Sequence, residues 1–276
     1  MKQGLSPLIL PLAALFVAFF VAPLCVLVVL SLHGEAAMKT WTAAHYVKFL
    51  RDPFNYSILI ETLLLGLKAT LVCLLFAYPI AWVCSRVPAR LQSILIFLVI
   101  MPILTSVVVR TFAWIVILGG QGIINQVWTL FGFQPLTLLY TETGLVIVLA
   151  QVQMPLMALP ILTVMSKIDG NLTDASRALG AGEWRTLWRI TVPLSMPGVI
   201  AGCILTYTAC ITAFVTQTLI GGARHIYMPL HIYQQAVGAN DWPFAAAISV
   251  IFMIAVLIIV GVLGALGHRS ETYAGA

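Results

Sequence analysis

Apolar residues in this chain do not alternate with polar ones; they run. Six stretches, 7–32, 57–83, 91–118, 143–165, 198–220 and 244–266, are nearly continuous in Leu, Ile, Val, Phe, Ala and Met. About 20 residues of helix cross the hydrocarbon core of a bilayer, and each stretch is long enough to do so with some tilt. Backbone polar groups in lipid must be satisfied within the segment, so the runs predict helices. The expected architecture is an all-α membrane protein with six transmembrane helices in one domain, 1–276. The first run is longer than a signal-peptide core, and no small-residue cleavage site ends it, so it is expected to be retained. Pro102, Pro155 and Pro160 each remove a helix donor and predict kinks at midmembrane. Two connections are long. The 33–56 segment carries Trp41, Tyr46 and Phe49 and predicts a helix lying at the interface. The other, 166–197, is polar and charged.

Composition agrees with this pattern. The chain is 61% hydrophobic and 8% charged, with a mean hydropathy of +1.05, whereas soluble domains carry about 25% charged residues. The net charge of +5 is read as the basic bias of cytoplasmic loops rather than a nucleic-acid surface. One set of tails and loops holds eight cations: Lys2, Arg86, Arg90, Lys167, Arg177, Arg185, Arg189 and Arg269. The opposite set holds four, Lys39, Lys48, Arg51 and Arg224. Both termini are therefore expected in the cytoplasm, which makes the 166–197 connection cytoplasmic. The five cysteines lie in or beside apolar runs without metal-type spacing, which argues against a disulfide framework or a zinc site.

The 166–197 connection has its own local grammar. Asp169 or Asn171 can cap a short helix on which Leu172, Ala175 and Leu179 fall at helical spacing. Gly180 then supplies a left-handed stop. A second short helix follows, with Trp184, Leu187 and Trp188 on one face and Arg185 and Arg189 near its end; Pro193 ends it and Pro197 opens the next span. Such a loop is either a docking surface or an amphipathic connection packed on the helix ends.

The segment resembles the EAA loop of binding-protein-dependent ABC importer permeases. That pattern is Glu-Ala-Ala, three residues, Gly, nine residues, Ile, one residue, Leu, Pro. Asp174, Ala175, Ser176, Gly180, Ile190, Val192 and Pro193 occupy the matching positions, and both gaps fit. Asp, Ser and Val stand where the family has Glu, Ala and Leu. Further along, Arg110-Thr-Phe-Ala-Trp114, Met154-Pro155, Phe214-Val215, Leu219-Ile220-Gly221-Gly222 and Asn240-Asp241-Trp242-Pro243 resemble the spermidine/putrescine permease branch. The resemblance implies the membrane domain of a type I importer in a bacterial inner membrane. It implies a second permease subunit, identical or homologous, and an external solute-binding protein. An ABC ATPase dimer, which binds ATP and Mg, would dock on Asp174, Ala175, Ser176, Gly180, Trp184, Ile190 and Pro193. No cofactor is expected in this chain, and no catalytic residue.

Ionisable groups inside spans are expensive and are functional candidates. Glu61, Lys68 and Arg110 are such groups here, and Trp114, Gln153 and Thr218 complete the candidate solute pathway. Glu61 and Lys68 share a helix face about 10 Å apart, too far for a direct pair. Glu61, near the external end, either lines the pathway or only snorkels; Lys68 is either pathway lining or half of a helix-packing ion pair, and Arg110 either snorkels outward or meets solute. Gln151 and Gln153, beside Pro155, either bond solute or satisfy freed carbonyls. The resemblance implies that polyamine members carry acids flanking Phe214-Val215, where this chain has Ala213 and Thr218. Only Glu61 then remains to receive a polycation, so polyamine, amino acid or a related organic solute all stay open. A secondary transporter or channel subunit is the alternative, yet no repeated halves are visible. Motifs of membrane enzymes are absent, and Gly34-Glu-Ala-Ala-Met-Lys39-Thr40 lacks the second glycine of a phosphate loop.

Overall fold

The structure, a computed structural model, describes residues 11, 13–34 and 40–274. Lys2, the start of the first apolar run and most of the 34–40 stretch lie outside the described residues. In chain order the helices are α1 (Ala13–Ser31), α2 (Ala44–Arg51), α3 (Pro53–Cys84), α4 (Ala89–Leu104), α5 (Val107–Leu118), α6 (Ile123–Leu130) and α7 (Glu142–Val152). There follow α8 (Met154–Met165), α9 (Gly170–Ala178), α10 (Glu183–Ile211), α11 (Phe214–Gly221), α12 (Met228–Tyr233) and α13 (Trp242–Ala274). Among the described residues, five segments are long and apolar enough to cross a membrane, and the count is six when α7 and α8, bent by 44°, are taken as one span.

Three of the expected spans are interrupted. The 91–118 run is not one helix: α4 stops at Leu104, and Thr105 and Ser106 are extended with ψ of 149° and 134°. Pro102 weakens the last turn of α4 because it has no N–H to donate. Its carbonyl is then saturated from the far side of the break, by Thr105 N (3.4 Å), Thr105 Oγ1 (2.8 Å) and the Arg110 guanidinium. At 16 residues α4 is about 24 Å long, short of a bilayer core. The spanning segment is instead Val107–Leu130, which holds α5 and α6. The 143–165 run breaks at Gln153, immediately before the Met154-Pro155 step, as Pro155 predicts, whereas Pro160 lies within the continuous α8. The 198–220 run begins far earlier, at Glu183, and breaks at Thr212 and Ala213. Pro193 therefore does not end the second loop helix. It follows a π turn, Leu187–Thr191, whose wider ring accommodates the proline where an α turn would clash.

Two compact units divide the chain: Met1–Leu59 with Leu230–Ala255, and Ile60–Pro229 with Val256–Ala276. In the first, α2 is the helix expected in the 33–56 connection, but its aromatic residues turn inward. Phe49 is buried and the Tyr46 hydroxyl meets Ser31 Oγ at 2.6 Å. Of the three, only Trp41 stays exposed, its ring tilted against that of His33 at 4.2 Å.

In the second unit α10 lies against α8. A Cβ on Gly198 would stand 2.7 Å from the Pro160 carbonyl oxygen, and one on Gly202 2.9 Å from that of Met157. Small residues let the backbones approach this closely, which is how packing holds helices together when both solvent and side chains are apolar. One core cluster gathers Leu65, Leu145, Leu149 and Ile220, and a second gathers Cys73, Ala77, Met157 and Ile161.

Candidate coupling loop and solute pathway

The 166–197 connection is built from the cap inward. Asp169 Oδ1 accepts from Asn171 N at 3.0 Å and starts α9. At the other end Gly180 adopts φ +79°. Its N–H donates to Arg177 O (2.9 Å) and the Ala181 N–H reaches back to Ser176 O (3.0 Å), the paired bonds of a Schellman cap. Ser176 is buried and donates to Thr186 Oγ1 at 2.9 Å, since Thr186 itself donates to Gly182 O. Arg177 reaches Glu183 at 3.0 Å. These two contacts fix α9 against the start of α10. Leu172, Ala175 and Leu179, meanwhile, face outward, with Leu179 88% exposed.

The other loop residues separate by face. Asp174 is exposed, 3.8 Å from Arg177. Trp184 does not join the Leu172–Leu179 face. It stacks edge-on with Trp188 at 5.9 Å and turns toward α3. Ile190 is half-buried and Pro193 exposed in the continuous α10.

The polar groups of the spans are mostly committed. Lys68 pairs with Glu142 at 2.5 Å, both side chains being about half exposed. Trp114 Nε1 donates to Gln151 Oε1 at 3.2 Å. Arg110 bonds the Pro102 carbonyl inside the broken third span, so it closes a helix end rather than snorkelling along a straight one. Thr218 Oγ1 donates to Phe214 O within α11 (2.8 Å). Gln153 is half-buried at the α7–α8 bend, and Glu61 is exposed on α3. Beyond α11, Tyr227 is buried, and its hydroxyl is pushed up first by burial, then by the negative charges of Glu142 and Glu61. Both acids therefore lie within electrostatic reach of one tyrosine, which the spacing of residues does not reveal.

The family model for the "binding-protein-dependent transport system inner membrane component" matches residues 53–270. The chain belongs to that family. Within it, this permease is 34% identical over 212 residues to the spermidine/putrescine transport system permease protein PotB of Escherichia coli, covering 76% of this chain and 77% of that one. It is 28% identical over 190 residues to the molybdenum transport system permease protein ModB of Escherichia coli, covering 66% of this chain and 82% of that one. Among solved structures, a bacterial ABC transporter involved in the import of the acidic polysaccharide alginate superposes with a TM-score of 0.77 at 17% identity. It covers 96% of this chain and 95% of that one, and the likeness establishes the fold.

Two features of this permease escape sequence reasoning. Glu142 is the partner of Lys68, 74 positions away. Gln217, 1% exposed, donates through Nε2 to Cys210 O (2.8 Å) and Ile211 O (3.1 Å), so it bridges the break between α10 and α11. A buried Gln next to an interrupted helix was the available signal. In the first unit, His231 is also buried, with Nε2 donating to Asn55 Oδ1 at 2.8 Å, while Asn55 Nδ2 donates to Asp52 at 3.3 Å. Burial pushes its pKa below the ordinary value and Asp52 partly opposes this.

Proposed function

We propose that this permease is the membrane-spanning subunit of an ATP-driven importer that depends on a solute-binding protein and carries small organic cations of the polyamine class. ATP is hydrolysed by partner subunits that dock on α9. The observation that carries the coupling role is the rigidly capped α9. Its polar side is tied to α10 through Ser176 and Arg177, while Leu172, Ala175 and Leu179 are left as an outward apolar face. An exposed apolar face on a polar, membrane-adjacent loop is an interaction site. Asp174 flanks it, Gly180 sets its end, and Trp184, Ile190 and Pro193 carry the continuous helix that transmits movement into the membrane. A second permease subunit completes the pathway, and both termini face the cytoplasm, by the eight-to-four distribution of cations.

The solute class rests on the similarity to PotB and on the charges around Tyr227. Ala213 and Thr218 bring no acid to the fifth span, but Glu142 joins Glu61 in the second unit, with Lys68 neutralising part of the charge. A cation in a low-dielectric passage needs such partners. Glu61, Lys68 and Gln153 therefore remain pathway residues, while Arg110, Trp114 and Thr218 act by holding the broken helices beside it.

The test is uptake of labelled spermidine and putrescine in cells lacking the native gene, alongside recovery of the ATPase in mild detergent. Leu179→Asp should abolish ATPase recovery and uptake together. Lys68→Met should strengthen competition by dications, because Glu142 loses its internal counter-ion. Uptake that persists without any ATPase would instead support a carrier uncoupled from ATP, and failure of both polyamines to compete would remove the solute class. Cysteines at Leu179 and Arg224, labelled from one side of the membrane, check orientation, and labelling of Leu179 from outside would reverse it.

A further inference from the structure

An apolar groove of 680 Å³ runs along the second unit between α3 and the first half of α10. Leu75, Tyr78 and Trp82 form one wall; Trp184, Trp188 and Val199 form the other. Its α3 residues are the last turns of a 32-residue span, so the groove extends from within the hydrocarbon to the loop-side edge of the membrane. Three features distinguish it from a plain lipid-facing surface. It is a concavity walled by two separate helices. Its aromatic rings gather at the loop-side end, at the depth where amphipathic rings favour the headgroup boundary. Finally, a guanidinium closes that end, and the turns of α10 that build it carry two more cations. Arg86 stacks over the Trp82 ring at 4.4 Å, and Arg185 and Arg189 follow Trp184 and Trp188 by one position each, both exposed.

None of these three arginines has an ion-pair partner among the described residues. The nearest acid in sequence, Glu183, is taken by Arg177. We infer that the groove holds an acyl chain of an anionic phospholipid from the loop-side leaflet, with its headgroup on Arg86, Arg185 and Arg189. The chemistry of the two ends argues for this occupant over a helix from another subunit. A second copy's apolar helix would fill the groove but bring no anion to Arg86 at its end, or to Arg185 and Arg189 on the same turns of α10. A phosphodiester supplies both the apolar chain and the anion, and basic pockets beside spans on this membrane face are where such headgroups bind. The bound lipid would brace the π turn Leu187–Thr191, through which α10 leaves the loop.

The full chain, purified in mild detergent and reconstituted in nanodiscs of equimolar phosphatidylglycerol and phosphatidylcholine, tests this by native mass spectrometry after re-extraction. One phosphatidylglycerol should be retained per chain in preference to phosphatidylcholine. The Arg185→Gln/Arg189→Gln variant should weaken that retention by about fivefold per arginine, the factor expected for one basic residue at an anionic surface. Both positions are exposed, so the variant should fold normally. Val199→Phe, which fills the groove and leaves every arginine in place, should also displace the lipid. Phosphatidylglycerol carrying brominated acyl chains should quench tryptophan emission in the wild type and less in Trp184→Phe/Trp188→Phe. Equal retention of the two headgroups, wild-type retention in the double arginine variant, or no retained lipid would overturn the inference. So would a cysteine at Leu75 that cross-links to a second permease subunit in membranes, because a protein helix would then occupy the groove.

Discussion

Gly180→Ala, Gly180→Val and Gly180→Asn together separate backbone geometry from surface bulk in the coupling loop. Gly180 sits at φ +79°, and an added Cβ meets nothing within 4 Å. No neighbour would be struck, so the cost of alanine is backbone strain alone, about 1–2 kcal/mol. That corresponds to a roughly five- to thirtyfold loss of the capped arrangement relative to competing loop conformations. Valine, branched at Cβ, is worse in this region of φ. Asparagine tolerates it and should keep most of the cap. Uptake and ATPase co-purification should therefore fall in the order Gly, Asn, Ala, Val, with expression and membrane insertion near wild type throughout. With α9 on the cytoplasmic side, as proposed, the binding protein should still dock in every variant. If Asn is as damaging as Val, bulk at the docking surface matters and the conformational argument fails. If Val transports at wild-type rates with its ATPase retained, α9 is not the coupling element.

Gln217→Leu should lower stability by about 1 kcal/mol, because the Ile211 carbonyl loses its side-chain donor and the Cys210 carbonyl keeps only the long bond from Ala213 N (3.4 Å) at the α10–α11 break; an unchanged unfolding midpoint in detergent would refute that. Gly202→Val should be more severe, since its Cβ would lie 2.9 Å from the Met157 carbonyl and force α10 off α8; thermal unfolding and yield of folded chain report it. His231 is held neutral by burial, with a folded pKa below its ordinary 6.5. The unfolded chain then binds the extra proton first, so the stabilisation is complete above about pH 6.5 and is lost as pH falls toward the folded value. Protection of the Met228–Tyr233 amides, corrected for the intrinsic pH dependence of exchange, should fall over that interval in the wild type and stay constant in His231→Gln; a constant wild-type protection factor would contradict the burial argument.

The sequence by itself determined the solvent, the number of apolar runs and the cap chemistry of the 166–197 connection. Length and hydrophobicity alone decide whether a segment prefers lipid, and the cap chemistry of Asp169 and Gly180 is local, so both were legible. The prolines beside two of the three breaks, Pro102 and Pro155, were legible too. What followed each bend was not. Whether Pro193 stops a helix or sits behind a π turn depends on how α10 packs on α8, and Gly198 and Gly202 show that contact only in three dimensions. Trp184 read as part of a docking face because helical spacing cannot say what a helix lies against; α3 decided that. The pairing of Lys68 with Glu142 and the bridging of α10 to α11 by Gln217 were equally out of reach. A lone charge or amide in an apolar run announces that a partner must exist, because leaving it unpaired in lipid is costly, but only the tertiary structure brings the partner to it.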